Sequence, residues 1–182
     1  IKDMGSDMFI VSDMSSCIFS RPIDISQYGV IYACAQKNFG PSGLSIVIIR
    51  KDLLNLARNP IEKTRNYKAV ISRDSILNTP NTFGVYLASR VFEWIKRCGG
   101  VEFFAKENSR KASLLYDAID SSDIYINNIP KEYRSHMNIV FEIKNNIDNN
   151  SDNKLDKNLE KLFIDQANES NLFNLAGHAS QG

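Results

Sequence analysis

Histidine, paired cysteines, long apolar runs and an excess of charge are all scarce in this sequence, and each scarcity excludes something. Only His136 and His178 can supply imidazole, so a histidine-rich metal site is excluded. The three cysteines, Cys17, Cys34 and Cys98, are widely separated and form no Cys-x-x-Cys pair. They read as reduced thiols of a cytoplasmic protein, not as a disulfide framework or a zinc site. No apolar run approaches the length that crosses a bilayer, and the opening residues carry no signal-peptide pattern, so no membrane partner is expected. The formal net charge is +1, which gives no broad field to draw the chain to nucleic acid or to an anionic surface.

What is present is the composition of a soluble globular protein, 43% hydrophobic and 24% charged, and 182 residues are enough for one well-buried domain or one and a fraction. Both ends read as cut from something larger: the first residues run straight into an apolar stretch, and the last follow directly on "LFNLA". Met8 to Ser12, Val30 to Ala35 and Leu44 to Ile49 are short apolar runs bounded by Gly or Pro. Such runs suit strands covered on both faces, as in α/β sheets. "RKDLLNLARNP" predicts a short amphipathic helix stopped by Pro60, and the polar "IEKTRNYKAVISRDSILNTPNT" predicts a long ordered loop.

Phe83, Leu87, Val91, Trp94 and Cys98 form one apolar stripe of a helix that starts near Pro80 and ends at Gly99-Gly100. A second helix is expected from about Val101 to Asp120, with Ala112, Leu115 and Ile119 on one face. The glycine pair between them is the candidate domain boundary. Beyond it, "DIYIN" and "MNIVFEI" predict strands of a half-exposed sheet, with Asn138, Val140 and Glu142 opposite Ile139, Phe141 and Ile143. The Asn-rich "KNNIDNNSDNK" cannot bury a core and reads as a surface insertion. Helical spacing returns through Leu155, Leu159, Leu162 and Phe163, which completes a small α+β domain.

Chemistry gathers at two positions. In "ACAQKNFGPSGLS" a single lysine, Lys37, stands at the hinge between two apolar runs. A lysine that loses hydration there tends to give up its proton and becomes a nucleophile of the kind that holds carbonyl cofactors as Schiff bases. For an isolated lysine in a turn, an ammonium reaching out to water is the better explanation. Asp13 closes the first apolar run in "IVSDMSS", and in open α/β sheets ligands gather at the carboxyl ends of strands. A carboxylate there, paired with a lysine on a later turn, matches what pyridoxal phosphate needs: one group holds the aldehyde carbon, the other keeps the pyridine nitrogen protonated. Taken alone, Asp13 is also the ordinary cap of the "SS" turn that follows it.

The stretches "DMSSCIFSRPIDISQYGVIYACAQKNFGPSGLSIVIIRKDLL", "LNTPNTFGVYLASRVFEWIKRCGG" and "YRSHMNIVFEI" closely resemble the phosphoserine aminotransferase family, a class V group of fold type I pyridoxal-phosphate enzymes. The likeness covers nearly the whole chain except the Asn-rich insertion, and "AQKN" followed by "GPSG" is its most specific part. The resemblance implies an α/β fold of fold type I, in which residues 1–99 are the latter part of the large mixed-sheet, cofactor-binding domain. Residues 100–182 would then be an incomplete small C-terminal α+β domain, with the insertion near 144–158. It implies a cytoplasmic homodimer with a shared active site and pyridoxal 5'-phosphate as cofactor. Its substrates would be small molecules: an amino group would pass between glutamate and 3-phosphohydroxypyruvate in serine synthesis, and in many bacteria the family also serves pyridoxine synthesis.

By the same resemblance Lys37 is the Schiff-base lysine, Asp13 its pyridinium partner, and Gln36 a cofactor contact beside the lysine. Asn78 and Thr79 would reach the cofactor phosphate from the neighbouring subunit, a role suited to an amide and a hydroxyl just ahead of a helix N-terminus. Without the resemblance, Asn78 reads only as a helix cap. His178 would help hold the substrate phosphate. The family follows that histidine with an arginine where this chain has Ala179, and a methyl cannot pair with a phosphate. Two other readings remain at this point. One is another fold type I enzyme such as a cysteine desulfurase, disfavoured because the three cysteines lie in or beside apolar runs where thiols are usually buried. The other is a catalytically incomplete dimerisation module derived from the same family.

Overall fold

Alternation of small and branched apolar residues builds the central element of the first part of the chain. In the computed structural model, β1 (Val11–Asp13) pairs in parallel with β2 (Val30–Cys34), Val11 opposite Val30 and Asp13 opposite Tyr32. β3 (Ser45–Ile49) pairs antiparallel with β2, Tyr32 opposite Val47, giving the order β1-β2-β3. The result is the mixed α/β sheet that the apolar runs and the resemblance both imply. Residues 8–56, 62–144 and 157–176 are described, and they divide into two units, Ile1–Arg110 and Lys111–Gly182. Leu155, most of the Asn-rich stretch, His178 and Ala179 lie outside the described residues.

Ile31, 1% exposed, and Ala33 point into a core made with Met14, Ile18, Phe39 and Ala88, onto which Phe19 and Phe92 also pack. Burying a side chain such as Ile31 contributes about 1.5–3 kcal/mol. The neighbouring positions Val11 and Tyr32 face the other way and are exposed. The expectation of strands covered on both faces is therefore corrected: among the described residues one face of this sheet is packed and the other is largely open.

A 3-10 turn, Lys51–Asn55, of which only Leu53 is buried, occupies the start of the stretch where the sequence predicts an amphipathic helix, and residues 57–60 of that stretch lie outside the described residues. The polar stretch read as a loop contains a 3-10 turn at Lys63–Arg65 and a short helix, α1 (Tyr67–Ile71). The signal that starts α1 is Asn66, whose side chain accepts from the backbone N–H groups of Lys68 and Ala69. Helix α2 (Thr82–Arg97) starts at Asn81, whose Oδ1 accepts from the Gly84 N–H at 2.9 Å, and ends with Gly99 and Gly100 at positive φ. Its fully buried residues are Gly84, Ala88 and Ile95, not the expected stripe. A Cβ on Gly40 would lie 3.4 Å from that of Ala88, so two small residues let the helix close onto the turn after β2. The larger Leu87, Val91 and Trp94 consequently line an open groove with Phe39, Gly40 and Pro41.

Helix α3 (Gly100–Asp120) carries the buried Asn108, whose Nδ2 donates to the Ser20 carbonyl at 3.1 Å within the first unit. In the second unit its buried residues are Ala112, Tyr116 and Ile119, packed with Tyr125 and Ile139. Leu115, expected on that face, is 54% exposed, because Tyr116 takes the inward position one residue, about 100°, further round. β4 (Tyr125–Ile126) and β5 (Glu142–Ile143) pair antiparallel, so "MNIVFEI" contributes a strand only through its last two residues. α4 (Lys157–Glu169) brings Phe163 edge-on to Tyr125 and Phe141. Arg134, its side chain 9% exposed, stacks over Tyr116 and donates to Asp120 and to the Ile129 carbonyl. No helix among the described residues is long and apolar enough to cross a membrane.

Candidate functional site

Two parallel strands that are neighbours deliver their carboxyl ends to the same place, and in this chain both run directly into tight turns. After β1, the Met14 carbonyl accepts from the N–H groups of Cys17 and Ile18. After β2, the Ala35 carbonyl accepts from those of Asn38, Phe39 and Gly40. Four hydrogen bonds latch this strand-end pair. The Met14 N–H donates to the Tyr32 carbonyl at 2.8 Å, and the Cys34 N–H donates to Ser15 Oγ at 3.0 Å. Lys37 Nζ donates to Ser16 Oγ at 2.8 Å, and Asn38 Nδ2 donates to the Ile18 carbonyl at 2.7 Å.

Asp13 ends β1 with Oδ1 accepting from the Ser15 N–H at 2.8 Å. It is thus the turn cap that its local sequence suggests, and that role leaves it a carboxylate at a strand end. Its carboxyl is held below the ordinary range, first by the Ser15 hydroxyl, then by the Ser15 N–H, with the Tyr32 phenol and the Lys37 ammonium adding to the effect. Asp13 is consequently ionised at neutral pH.

Lys37 is placed with Asp13 by the parallel pairing, and Gln36 precedes it on the same exposed turn. The expectation that Lys37 loses hydration is corrected: the residue is exposed, because the sheet face and turns around it are open among the described residues. Asn78 and Thr79 are exposed in the segment before α2, and no hydrogen bond among the described residues joins them to the two turns. The cap of α2 is Asn81, so the plainer reading of Asn78 does not hold. His178 lies outside the described residues. Cys17 is exposed and Cys34 and Cys98 are half-buried, which corrects the expectation of buried thiols. No group of three or more metal-ligating side chains occurs among the described residues.

Sequence reasoning missed Ser15, Ser16, Tyr32 and Asn38. A signal existed for the serines, since two hydroxyls directly after a strand-ending aspartate suit a turn that faces the next parallel strand. Tyr32 and Asn38 enter only through the register of β1 on β2.

A mixed sheet with a carboxylate and a lysine at adjacent strand ends suits the pyridoxal-phosphate class of fold. The model of the family described as class-V aminotransferase matches residues 1–158, and the chain belongs to that family. It is similar to the phosphoserine aminotransferase of Hahella chejuensis, 47% identical over all 182 residues, and to that of Shewanella sediminis, 46% identical over 181. The chain spans about half the length of these curated relatives, 47% of each. Among solved structures it resembles the phosphoserine aminotransferase of Bacillus circulans subsp. alkalophilus, with a TM-score of 0.84 and 39% identity over 99% of this chain and 47% of that one. It also resembles the PLP-bound phosphoserine aminotransferase of Trichomonas vaginalis, with a TM-score of 0.83 and 37% identity over 97% of this chain and 48% of that one.

Proposed function

We propose that this chain carries the lysine and carboxylate of a phosphoserine aminotransferase site that works with pyridoxal 5'-phosphate. The observation that supports the reading is the placement of Asp13 and Lys37 at and just beyond neighbouring ends of parallel strands, with Lys37 bonded to Ser16 of the "DMSS" turn that Asp13 opens. The donor set fits the cofactor. An ionised Asp13 would suit a protonated pyridine nitrogen, and the exposed Lys37 amine would be the group that holds the aldehyde carbon. When bound, the cofactor supplies a ring that takes up the electron pair left at the substrate α-carbon.

In this reading Lys37 Nζ would hold the cofactor and would accept the proton from the α-carbon of bound glutamate. Asp13 keeps a proton on the ring nitrogen, and Gln36 flanks the ring beside the lysine. Asn78 and Thr79 reach the cofactor phosphate of the partner subunit in a cytoplasmic homodimer, and His178 holds the phosphate of 3-phosphohydroxypyruvate. Residues 1–99 belong to the cofactor-binding domain and 100–182 to the small domain. The exposed thiol of Cys17 is a feature in favour of cysteine-desulfurase chemistry. It stands, however, on a turn latched by hydrogen bonds instead of a mobile loop, and the 46–47% identity runs to phosphoserine aminotransferases.

Borohydride reduction of the intact protein loaded with pyridoxal phosphate, followed by peptide mapping, tests the assignment. The pyridoxyl label is expected on Lys37, and a label on any other lysine overturns it.

A further inference from the structure

The hydroxyls of Ser15 and Ser16 are adjacent in sequence and engaged quite differently. Ser15 serves the frame: its N–H and hydroxyl lower the Asp13 carboxyl, and its Oγ accepts from the backbone of β2. Ser16 serves the lysine, with its Oγ 2.8 Å from Lys37 Nζ. The two partners occupy equivalent places, Ser16 three residues past the end of β1 and Lys37 three residues past the end of β2. The turns that carry them are tied independently of that contact by the bonds from Cys34 N–H to Ser15 and from Asn38 to the Ile18 carbonyl. The Ser16–Lys37 bond is therefore not needed to hold the turns together, while it fixes the end of a long and otherwise mobile side chain.

We infer that Ser16 is a positioning residue for Lys37. Its hydroxyl receives the lysine amine whenever that amine is not bonded to the cofactor, and keeps it at the strand ends beside Asp13. The inference rests on the functional reading above. A lysine amine with its full stem freedom visits many places; one that rests on Ser16 starts each proton transfer from the same place, which is the advantage that orientation gives a catalytic group. The hydroxyl suits the task because it accepts from the amine and, being neutral, does not trap it. A carboxylate at this position would form an ion pair with the amine, and a methyl would offer it nothing.

The test uses Ser16→Ala and Ser16→Thr in the intact protein and has two arms. In the first, cofactor-free protein is exposed briefly to acetic anhydride and acetylation of Lys37 is measured by peptide mass mapping, with Lys51 as internal reference. Ser16→Ala is expected to change the Lys37 rate about threefold or more relative to Lys51, and Ser16→Thr to restore it. In the second, loaded enzyme turns over glutamate. Ser16→Ala is expected to lower kcat about tenfold with KM for glutamate nearly unchanged, and Ser16→Thr to recover most of the loss. Unchanged Lys37 reactivity and unchanged kcat in Ser16→Ala, with the pyridoxyl label still on Lys37, would overturn the role of Ser16 and leave the functional reading standing. A label on another lysine would overturn both.

Discussion

Asp13 in the first unit and Asp120 in the second are both held below the ordinary carboxylate range, by opposite means. Neutral donors dominate at Asp13: the Ser15 hydroxyl and N–H first, then the Tyr32 phenol, with Lys37 contributing least. Asp120 is bound by cations, Arg134 at 2.8 Å and Lys131 at 3.1 Å, which bring its carboxyl to about 2. Neutral donors stabilise an anion without cancelling its charge, so Asp13 still offers that charge to a cationic partner such as a protonated ring nitrogen. Asp120 has two cations already, and Arg134 is further committed to the Tyr116 ring and the Ile129 carbonyl. Perturbed acidity alone therefore does not single out the carboxylate proposed to act on the cofactor. What distinguishes Asp13 is a strand-end carboxylate that forms no ion pair among the described residues, near a lysine whose amine rests on a hydroxyl.

The contrast breaks most sharply on substitution of Asp13. Asp13→Ala in the intact protein is expected to lower transamination of glutamate by at least about a hundredfold, with the melting temperature close to that of the native protein. Formation of 2-oxoglutarate and thermal unfolding measure the two arms. Near-native turnover would make Asp13 a turn cap and nothing more.

The opposite pattern is expected for Arg134→Met. Removing the guanidinium leaves the Ile129 carbonyl without that donor and strips the Tyr116 ring of its stacked cation, so the melting temperature should fall by several degrees. Turnover per folded molecule should change little, since the partners of Arg134 named above, Asp120, Tyr116 and Ile129, all belong to the second unit. A collapse of kcat without loss of stability would make the second unit's network part of the site.

The smallest effect is the most direct reading of the comparison. The Asp120 carboxyl, ordinarily near 3.8, is held at about 2 in the fold. The stability drawn from its charge is complete above about pH 4 and is lost as the pH falls through about 2. A carbon-13 carboxyl titration should place Asp120 near 2 in the native protein and move it upward in Arg134→Met, with Asp13 unaffected by that substitution. An Asp120 that titrates at its ordinary value would show that the two cations do not act on it.

Much of the candidate site was legible because its parts are local. Asp13 ends an apolar run, Lys37 follows another, and the intervening chain is long enough to return beside the first strand. The amphipathic helices were legible in extent but not in face. Phe83 and Trp94 are the largest residues of their stripe and are exposed, while Gly84 and Ala88 are buried, Gly84 against the capping side chain of Asn81 and Ala88 against Gly40. Polar stretches misled for a related reason: a single Asn66 cap starts α1 where hydrophobic periodicity is weak.

The sequence by itself determined the candidate chemistry, a lone lysine in a glycine-rich turn and a strand-ending aspartate, together with the helices of residues 82–120. Those features depend on neighbours within a few positions, where the chain's own geometry decides. Only the tertiary structure decided that Ser16 meets Lys37, that Tyr32 acts on Asp13, and that Arg134 occupies Asp120. Each of these contacts joins residues on separate elements or turns, or depends on how such elements set a side chain. It is therefore fixed by strand register and packing, which no local pattern of residues encodes.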